Sequence, residues 1–356
     1  MKSAIIKNVI FRGNTNIDES TAYYPERYIG GVVGYADNCN FQNVKCHMDI
    51  DYWRKKTNAF KYSGYIGGIV GKSYYSTLSY CQHKGNINVG FGRYIDTNIS
   101  AAEYYTTAGH GIGGLIGSAS YTIIEYCENM SSLISSKAAG SKNTNAGYAT
   151  RVGGLVGSYI GERGYYILCC KSDVLELYTQ YNSGSRSFNA YIGGIVGSHS
   201  SNIPTDVFLD NCFSTTTSIY AGSSSSSSKI YYGGIVGKAD NSQSMKANYS
   251  PSDLNINQTS LNKVRGYCGS TSFSSDQMKS DSFLDEMNIY PLLEIGKEVW
   301  ERYDSYPYII YNYPSNINNF HQDNDDIVPV FSLSGQRLAA LRKGVNIVGG
   351  RKVVVK

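Results

Sequence analysis

The chain has 356 residues, with 38 glycines against 7 prolines, 33 tyrosines and only 17% charged residues. At about 150 residues per domain, this length predicts two or three domains or one long repetitive one. The glycines follow no collagen period and the apolar fraction of 41% is ordinary, which excludes collagen and global disorder. The prevalence of Tyr, Ile, Val, Thr, Ser, Asn and Gly favours strands and turns. No apolar run approaches the roughly 18 residues of a membrane helix, so we expect no transmembrane segment.

The net charge of +4 is unevenly distributed along the chain. Residues 327–356 contain six cationic residues and no acidic one, so the remaining 326 residues carry 26 − 28 = −2. A nucleic-acid-binding protein needs its basic residues as a patch on the folded body. Because the cations of this chain concentrate in its C-terminal tail, we expect no nucleic-acid partner.

Six near-identical segments, each with a Gly-Gly pair, recur through the first two thirds of the sequence. A representative one reads Tyr65-Ile-Gly-Gly-Ile-Val-Gly71. The first glycine of each pair falls at 30, 67, 113, 153, 193 and 233, so the spacings are 37, 46, 40, 40 and 40 residues. We number the repeats 1 to 6 by these pairs.

A second signal follows each segment and consists of an apolar residue, two variable residues, and a small apolar residue or Cys. Its last residue lies 10 to 15 residues after the closing glycine of the segment. A third, alternating stretch follows, such as Asn86 to Val89. Ile6 to Val9 repeats the second signal without a Gly-Gly strand, and Lys7 interrupts any signal-peptide core. Two interpretations remain open: the protein is cytoplasmic, or the sequence is a piece of a longer chain. The partial repeat favours the second interpretation. The instances of the second signal are Phe41…Val44, Leu78…Cys81, Ile124…Cys127, Ile167…Cys170 and Leu209…Cys212.

Three short strands and a polar loop per repeat cannot enclose a core, so the repeats must bury apolar residues by stacking on one another. We therefore predict an all-β fold, a right-handed parallel β-helix (solenoid) of about six coils with one 37–46-residue repeat per coil. Adjacent coils would lie about 4.8 Å apart. The glycines are expected at sharp corners that need a positive φ, or where a covering loop approaches closely.

Long polar loops are predicted before each Gly-Gly strand, at 51–64, 90–110, 135–150, 179–190 and 221–230. All leave the coil at the same point, so they should line one side, where inserted loops of repeat proteins often bind ligands. Flat aromatic side chains stack on sugars and anchor protein interfaces. Tyrosines such as Tyr28 and Tyr65 are instead expected to cover the outer face, a role that also stays open for the loop aromatics. The candidate ligand-binding residues are Tyr52, Trp53, Tyr94, Tyr104, Tyr105, Tyr148, Tyr178 and Tyr181.

The Gly-Gly-Ile-Val-Gly segments, with Leu209-Asp-Asn-Cys212, resemble the GLUG-motif repeats of large secreted and surface-attached bacterial proteins. The resemblance covers about residues 1–250. The irregular Met245-Lys-Ala-Asn248 is typical of a terminal coil. The resemblance implies a secreted or cell-surface protein, outside the outer membrane.

Residues 251–313 change character and predict a C-terminal cap over the open end of the sheets. The segment Ser275 to Met287 has a capping serine and helical apolar spacing, and a Tyr-Pro strand follows Trp300. Residues 314–326 are predicted to be a polar linker. Residues 327–356 predict a small β tail, which resembles the second half of the sorting domain that sends Bacteroidota proteins through the type IX secretion pathway. The resemblance implies secretion machinery as a partner of the tail.

The positions of the cysteines predict buried packing residues rather than metal ligands or reactive groups. Cys81, Cys127, Cys170 and Cys212 share one repeat position with Val44, so we expect stacked, buried free thiols. Cys39, Cys46, Cys169 and Cys268 form no CxxC or Cys/His metal spacing. Gly109-x-Gly-x-x-Gly114 belongs to the repeat and lacks the strand–turn–helix setting of a dinucleotide site. We therefore expect no cofactor, no metal and no catalytic residue.

The function predicted from the sequence is an exported adhesin-like repeat protein that binds a glycan or a host or neighbouring protein without catalysis. The first alternative is a polysaccharide lyase or glycoside hydrolase, which needs carboxylates held together on one face. Its candidates are the turn acids Asp37, Glu162, Asp206 and Asp240. The second alternative is a passive surface stalk.

Overall fold

A computed structural model shows a mostly β protein that divides into two compact units, 1–310 and 311–356. Three long parallel sheets make up most of the first unit, and we name them by their order within a repeat. The structure describes residues 1–19, 26–54, 63–91, 109–139, 148–161, 164–182, 188–201, 208–223, 229–240, 245–258, 262–289, 298–303, 305–310, 330–332, 337–338, 344–348 and 351–355.

The first sheet contains the Gly-Gly strands and has seven members. They are Glu26–Gly30, Ser63–Gly67, His110–Gly113, Tyr148–Gly153, Phe188–Gly193, Lys229–Gly233 and Asn262–Arg265. The second sheet follows each Gly-Gly pair and has six members. They are Val33–Asp37, Val70–Tyr74, Ile116–Ser120, Val156–Gly161, Val196–Ser201 and Val236–Ala239.

The third sheet has 16 strands and combines the second and third sequence signals. Two long strands open it, and later repeats divide the same path into two or three shorter strands. They are Ile5–Glu19, Asn40–Arg54, Thr77–Ser79, Gln82–Lys84, Ile87–Phe91, Ile123–Glu125, Glu128–Asn129, Leu133–Ala139, Ile167–Leu168, Lys171–Ser172, Glu176–Asn182, Leu209–Asp210, Phe213–Ser214, Ser218–Ser223, Met245–Lys246 and Asn255–Gln258.

Strand register confirms the alignment of the repeats. Gly30 pairs with Gly67 and Gly67 with Gly113, and the pairing continues through the pairs at 153, 193 and 233. The second signals also pair in register, as Leu78 does with Phe41 and Ile124. In every sheet, the strands of each repeat therefore lie next to the equivalent strands of the preceding repeat.

Two buried clusters run through the stacked repeats. One joins second-sheet residues such as Val70 to the second-signal residues, including Leu78 and Cys81. The other joins first-sheet residues such as Ile66 to third-stretch residues such as Ile87. The predicted apolar positions are thus buried against their own copies in neighbouring repeats.

The Gly-Gly pairs lie where each first-sheet strand bends into the second sheet, as predicted, but they serve close packing, and the prediction that they need a positive φ is wrong. A Cβ on Gly30 would overlap the carbonyl oxygens of Val33 and of Ile69 in the next repeat. None of the pairs in the six repeats has a positive φ. The left-handed corners are instead formed by non-glycine residues immediately before the small position of the second signal. They are Asn8, Asn43, Tyr80, Tyr126, Cys169, Asn211 and Ala247, with φ between 48° and 56°.

The space left by the second glycine of each pair is filled by a buried column of the third sheet. A Cβ on Gly114 would overlap the amide of Asn129, and one on Gly154 the hydroxyl of Ser172. Asn129 donates from Nδ2 to the Gly154 carbonyl oxygen at 2.7 Å, and its Oδ1 lies 2.9 Å from His83 Nδ1. The column therefore ties the third sheet to the first by polar contacts. Its members are Cys46, His83, Asn129, Ser172, Ser214 and Ser250.

Parallel pairing continues beyond residue 250, because Asn255–Gln258 and Asn262–Arg265 each add one strand to a sheet. The predicted helix is also shorter than expected. It spans Asp281–Asn288, and Ser280 is the N-cap, whose hydroxyl accepts from the Phe283 N–H at 3.3 Å. A 3-10 turn, Gln277–Lys279, precedes it.

We call residues 271–310 the return segment, and its described residues, 271–289, 298–303 and 305–310, contact the third sheet along its side rather than only over its end. Trp300 contacts Phe213, and the two rings are 5.1 Å apart. The Ile309 N–H donates to Glu128 Oε1 at 3.3 Å, back in repeat 3. The described part of the segment ends in an antiparallel pair, Trp300–Glu301 with Tyr308–Ile309.

The second unit contains a four-stranded antiparallel sheet, in agreement with the small β tail predicted from its alternating residues. Its strand order is Arg337–Leu338, Val330–Ser332, Gly344–Val348 and Arg351–Val355.

Candidate functional site

Five of the eight predicted loop aromatics lie in strands, so the assignment of those five to loops is wrong. Tyr52 and Trp53 belong to the strand Asn40–Arg54, and Tyr52 is fully buried in the core between the first and third sheets. A fully buried ring presents no surface to a ligand, so Tyr52 leaves the candidate set. Trp53 is half-buried.

The other predicted residues divide into two groups. Tyr148 begins a first-sheet strand, and Tyr178 and Tyr181 lie in the strand Glu176–Asn182. Tyr178 stacks on Tyr220 with 4.5 Å between ring centroids and 6° between planes. Tyr94, Tyr104 and Tyr105 lie outside the described residues, so their binding role stays a prediction.

A denser cluster of tyrosines occupies the corners between the second and third sheets in repeats 2 to 4. Tyr75 and Tyr121 stack with 4.9 Å between ring centroids and 16° between planes. Tyr165 lies 6.0 Å from Tyr75 and 5.7 Å from Tyr121. Tyr75 is 45% exposed, so one face of this cluster is open to solvent.

A second stack lies at the next corner of the same repeats. Tyr80 and Tyr126 are 4.8 Å apart with 13° between their planes, and both are half-buried. Only the short strands Thr77–Ser79 and Ile123–Glu125 separate this stack from the first. Each strand is roughly 10 Å long.

Glu125 lies between the two stacks. Its Oε1 accepts from the Ser79 hydroxyl at 2.7 Å, and its Oε2 lies 3.5 Å from the Tyr166 hydroxyl. Tyr165 and Tyr166, adjacent in the chain, therefore join the first stack to this carboxylate. We call the whole arrangement the corner surface, defined by Tyr75, Tyr80, Tyr121, Tyr126, Tyr165 and Glu125.

The backbone at these tyrosines is strained. Tyr75, Tyr80, Tyr121 and Tyr126 have φ of 44°, 55°, 49° and 52°. A left-handed backbone costs an L-residue roughly 1–2 kcal/mol, and asparagine bears it more easily. Repeat 1 places Asn38 and Asn43 at the equivalent positions. Strain of this kind at exposed positions is a reason to look for a function.

The sequence prediction missed the corner tyrosines because it placed the ligand-binding aromatic residues in the long polar loops. The signal was present in the spacing, since Tyr75-Ser-Thr-Leu-Ser-Tyr80 and Tyr121-Thr-Ile-Ile-Glu-Tyr126 carry tyrosine at both ends of the second signal. The pKa of Tyr75 is raised to about 12, first by its hydrogen bond with Tyr74 and then by desolvation.

The described candidate carboxylates of the enzyme alternative lie far apart. Asp37 ends the second-sheet strand of repeat 1, and Asp240 follows that of repeat 6, about 24 Å away at the strand spacing. A glycosidase pair is roughly 5–9.5 Å apart, so these two cannot act together on one bond. Glu162 and Asp206 lie outside the described residues.

All eight cysteines are free, and all except the half-buried Cys268 are buried. Along the predicted thiol stack, the N–H of Cys127 donates to the sulfur of Cys170 at 3.4 Å, and that of Cys170 to Cys212 at 3.3 Å. Asn248 continues the pattern, because its Oδ1 accepts from the Cys212 N–H at 3.0 Å. Desolvation raises the pKa of Cys127 and Cys170 well above the usual value, which makes these thiols poor nucleophiles.

The residues that the structure describes contain no group of three or more His, Cys, Asp or Glu residues arranged to hold a metal ion. No helix among them has the length and apolar character needed to cross a membrane.

Comparison with known proteins gives no assignment. No protein-family model, no curated protein and no solved structure matches this chain.

Proposed function

We propose that this protein binds carbohydrate without catalysis, as an exported adhesin-like repeat protein of the cell surface or the secreted fraction. The observation that carries the proposal is the strained corner surface. Four tyrosines there adopt a left-handed backbone at positions where other repeats carry asparagine, cysteine or alanine, and they hold stacked, partly exposed rings on both sides of a carboxylate.

The chemistry of this surface suits a sugar. Flat aromatic rings stack on the apolar faces of pyranose rings, and they do so with little loss of side-chain entropy. Glu125 and the tyrosine hydroxyls supply hydrogen-bonding groups that sugar hydroxyls can match. The strands between the stacks are roughly 10 Å long, which leaves room for one or two sugar units between the aromatic walls.

The proposal includes the fold that presents this surface. The register of equivalent residues in all three sheets supports a right-handed parallel solenoid with one coil per repeat and about six coils. The likeness to GLUG repeats and to a type IX sorting domain supports export of the chain. The tail would be read by secretion machinery and would not itself anchor the protein in a membrane.

The test uses variants that keep the corner backbone. The full chain and its Tyr75→Asn/Tyr80→Asn/Tyr121→Asn/Tyr126→Asn variant are incubated with immobilised host, plant and bacterial polysaccharides, and retention is measured. Asparagine occupies the same corners in other repeats, so the variant should fold, as circular dichroism will check. We expect retention on the recognised glycans to fall at least tenfold in the variant.

Tyr303→Asn is the matched control, because Tyr303 is 80% exposed and is not one of the corner-surface residues. It should leave retention unchanged. Equal retention by the corner variant and the wild type would contradict the proposal. Shortened or unsaturated products, weighed by mass spectrometry, would favour the polysaccharide-degrading alternative, and no retention on any glycan would favour the stalk.

A further inference from the structure

A second aromatic surface lies on the outer side of the first sheet, away from the corners. Its outward-facing column alternates with the buried column that contains Ile29, Ile66 and Val152. We call it, with Lys72 and Lys238 of the second sheet, the tyrosine–lysine face. The column contains Tyr28, Tyr65, Gly111, Arg151, Tyr191 and Tyr231, paired in register.

The cations of this face are positioned over the tyrosine rings. Lys72 Nζ lies 5.3 Å from the ring centroids of both Tyr28 and Tyr65. Lys238 Nζ lies 5.7 Å from Tyr191 and 6.0 Å from Tyr231. Cation–π attraction of this kind holds a charged group in place before a ligand arrives.

Arg151 completes the set between the two lysine sites. Its guanidinium carbon lies 5.6 Å from the Tyr191 ring. The side chains beside it in the second-sheet column are small, since Lys72 and Lys238 are separated there by Ser118, Ser158 and Ser198. The cations therefore stand above a shallow strip rather than among other large side chains.

The spacing of the cations is regular. Lys72 belongs to repeat 2, Arg151 to repeat 4 and Lys238 to repeat 6, so one cation occurs at every second repeat. At the parallel strand spacing this puts the backbone positions of successive cations about 9.6 Å apart along the stacking direction. That distance is close to the length of two linked pyranose rings.

No acidic residue occurs in the two paired columns that form the face. The described acids nearby lie in the terminal repeats. Glu26 accepts a hydrogen bond from the Tyr28 hydroxyl, and Asp37 pairs with Lys2 at 3.4 Å. Asp240 lies 3.8 Å from Lys238, and both are nearly half exposed. The centre of the face is thus cationic and its ends are closer to neutral.

We propose that the tyrosine–lysine face binds a linear acidic polysaccharide in which every second sugar carries a carboxylate or sulfate. The polymer runs along the stacking direction, with its anionic sugars opposite Lys72, Arg151 and Lys238. The neutral sugars between them lie against the tyrosine rings. This site is separate from the corner surface and does not depend on the function proposed there.

The geometry also sets the length of ligand. Lys72 and Lys238 are about 19 Å apart at the strand spacing, which corresponds to two disaccharide units. An alternating hexasaccharide therefore offers three anionic sugars to three cations, and a tetrasaccharide offers only two. We expect the hexasaccharide to bind about tenfold more tightly than the tetrasaccharide, with little further gain for longer chains.

The experiment titrates the full chain with hyaluronan oligosaccharides of four, six and ten sugars by isothermal calorimetry. The variant Lys72→Gln/Arg151→Gln/Lys238→Gln should lose at least tenfold in affinity for the hexasaccharide. The control variant Lys7→Gln/Lys84→Gln/Lys246→Gln removes the same charge from the third sheet and should stay within twofold of wild type. Binding should weaken with added salt, because the partners are exposed charges.

Three results would overturn the proposal: no hyaluronan binding by the wild type, equal losses of affinity in the two triple variants, or an affinity that does not change with oligosaccharide length. Circular dichroism of both triple variants checks that neither has unfolded. The corner variant with four asparagines should bind hyaluronan normally. Failure of the corner proposal and failure of this one are therefore distinguishable.

Discussion

The inward column of the second sheet near the first corner is small in repeats 2 and 3, which carry stacked tyrosines outside that corner, and aromatic in repeats 4 and 5. In repeats 2 and 3 the inward positions near the first corner are the small residues Ser73 and Ala119, and the tyrosine rings lie on the outer side. In repeats 4 and 5 the same inward column holds Tyr159 and His199, fully or almost fully buried. Neighbouring copies of one backbone thus use aromatic residues in opposite ways.

The second corner shows the same contrast. Asn211 has the left-handed backbone of Tyr80 and Tyr126, but the return segment covers it. Trp300 Nε1 donates to Asn211 Oδ1 at 2.5 Å, and Asn211 Nδ2 donates to the Met287 carbonyl oxygen at 2.8 Å. The covered corner of repeat 5 thus carries a compact hydrogen-bonding side chain, whereas the open corners of repeats 2 and 3 carry rings and the exposed first corner of repeat 1 carries Asn38. The difference shows that the left-handed backbone of a corner does not by itself require a tyrosine ring.

The largest effect is expected from removing the ring that covers the Asn211 corner. Trp300→Ala deletes a side chain that is 1% exposed and packed against Phe213. Truncation of a buried tryptophan costs about 3–5 kcal/mol. Urea unfolding should show this loss, whereas Tyr303→Ala, at an exposed position, should cost less than about 0.5 kcal/mol. Equal costs for the two variants would mean that the return segment does not stabilise this face.

The buried aromatic core of repeats 4 and 5 should make the protein sensitive to acid. His199 stacks on Phe208 with 3.6 Å between centroids, and desolvation lowers its pKa to about 4. The unfolded chain takes up a proton near pH 6.5 and the folded chain does not, so stability falls as the pH drops from about 6.5 to 4. The full loss is about 3 kcal/mol. His199→Phe should flatten this part of the pH–stability curve, and an unchanged curve would contradict the assignment.

An opposite and smaller pH effect is expected under the return segment. Glu128 is 5% exposed and desolvation raises its pKa, while the charge of Lys171 lowers it. Folding then favours the protonated form, so this group costs stability as the pH rises above about 4.5. Glu128→Gln keeps an acceptor for the Ile309 N–H and should stabilise the protein at pH 8. Thermal melts should show a higher melting temperature for the variant than for the wild type at pH 8 but not at pH 4. A lower melting temperature at pH 8 would mean that the attraction between Glu128 and Lys171 outweighs the cost of desolvating the Glu128 carboxylate.

The smallest effect is expected at an open corner. Tyr126→Asn loses the stack with Tyr80, worth about 0.5–1.5 kcal/mol, but relieves a left-handed backbone that costs an L-residue roughly 1–2 kcal/mol. These contributions nearly cancel, so the free energy of unfolding should change by less than about 1 kcal/mol while glycan retention falls. A large destabilisation would show that the ring is structural.

Much of the fold was predictable because repetition constrains it. The Gly-Gly pairs and second signals are spaced so that equivalent residues pair in register, and the stacked cysteines could be expected to be buried free thiols because Val44 shares their position. Tyr52 shows the limit of such reasoning. It lies in a polar-looking stretch that spacing assigns to a loop, but pairing of the long strand Asn40–Arg54 with both neighbours turns its ring into the core.

The sequence by itself determined the strand type, the repeat length and the alignment of repeats, because these follow from local periodicity and from glycine at positions where a Cβ would overlap a neighbouring carbonyl oxygen. The tertiary structure alone decided which tyrosines became buried and which became partly exposed corner rings. It also decided that the described residues of the return segment lie along the third sheet. These outcomes depend on contacts between residues far apart in the chain, such as Asn211 with Trp300, and no local pattern encodes such a contact.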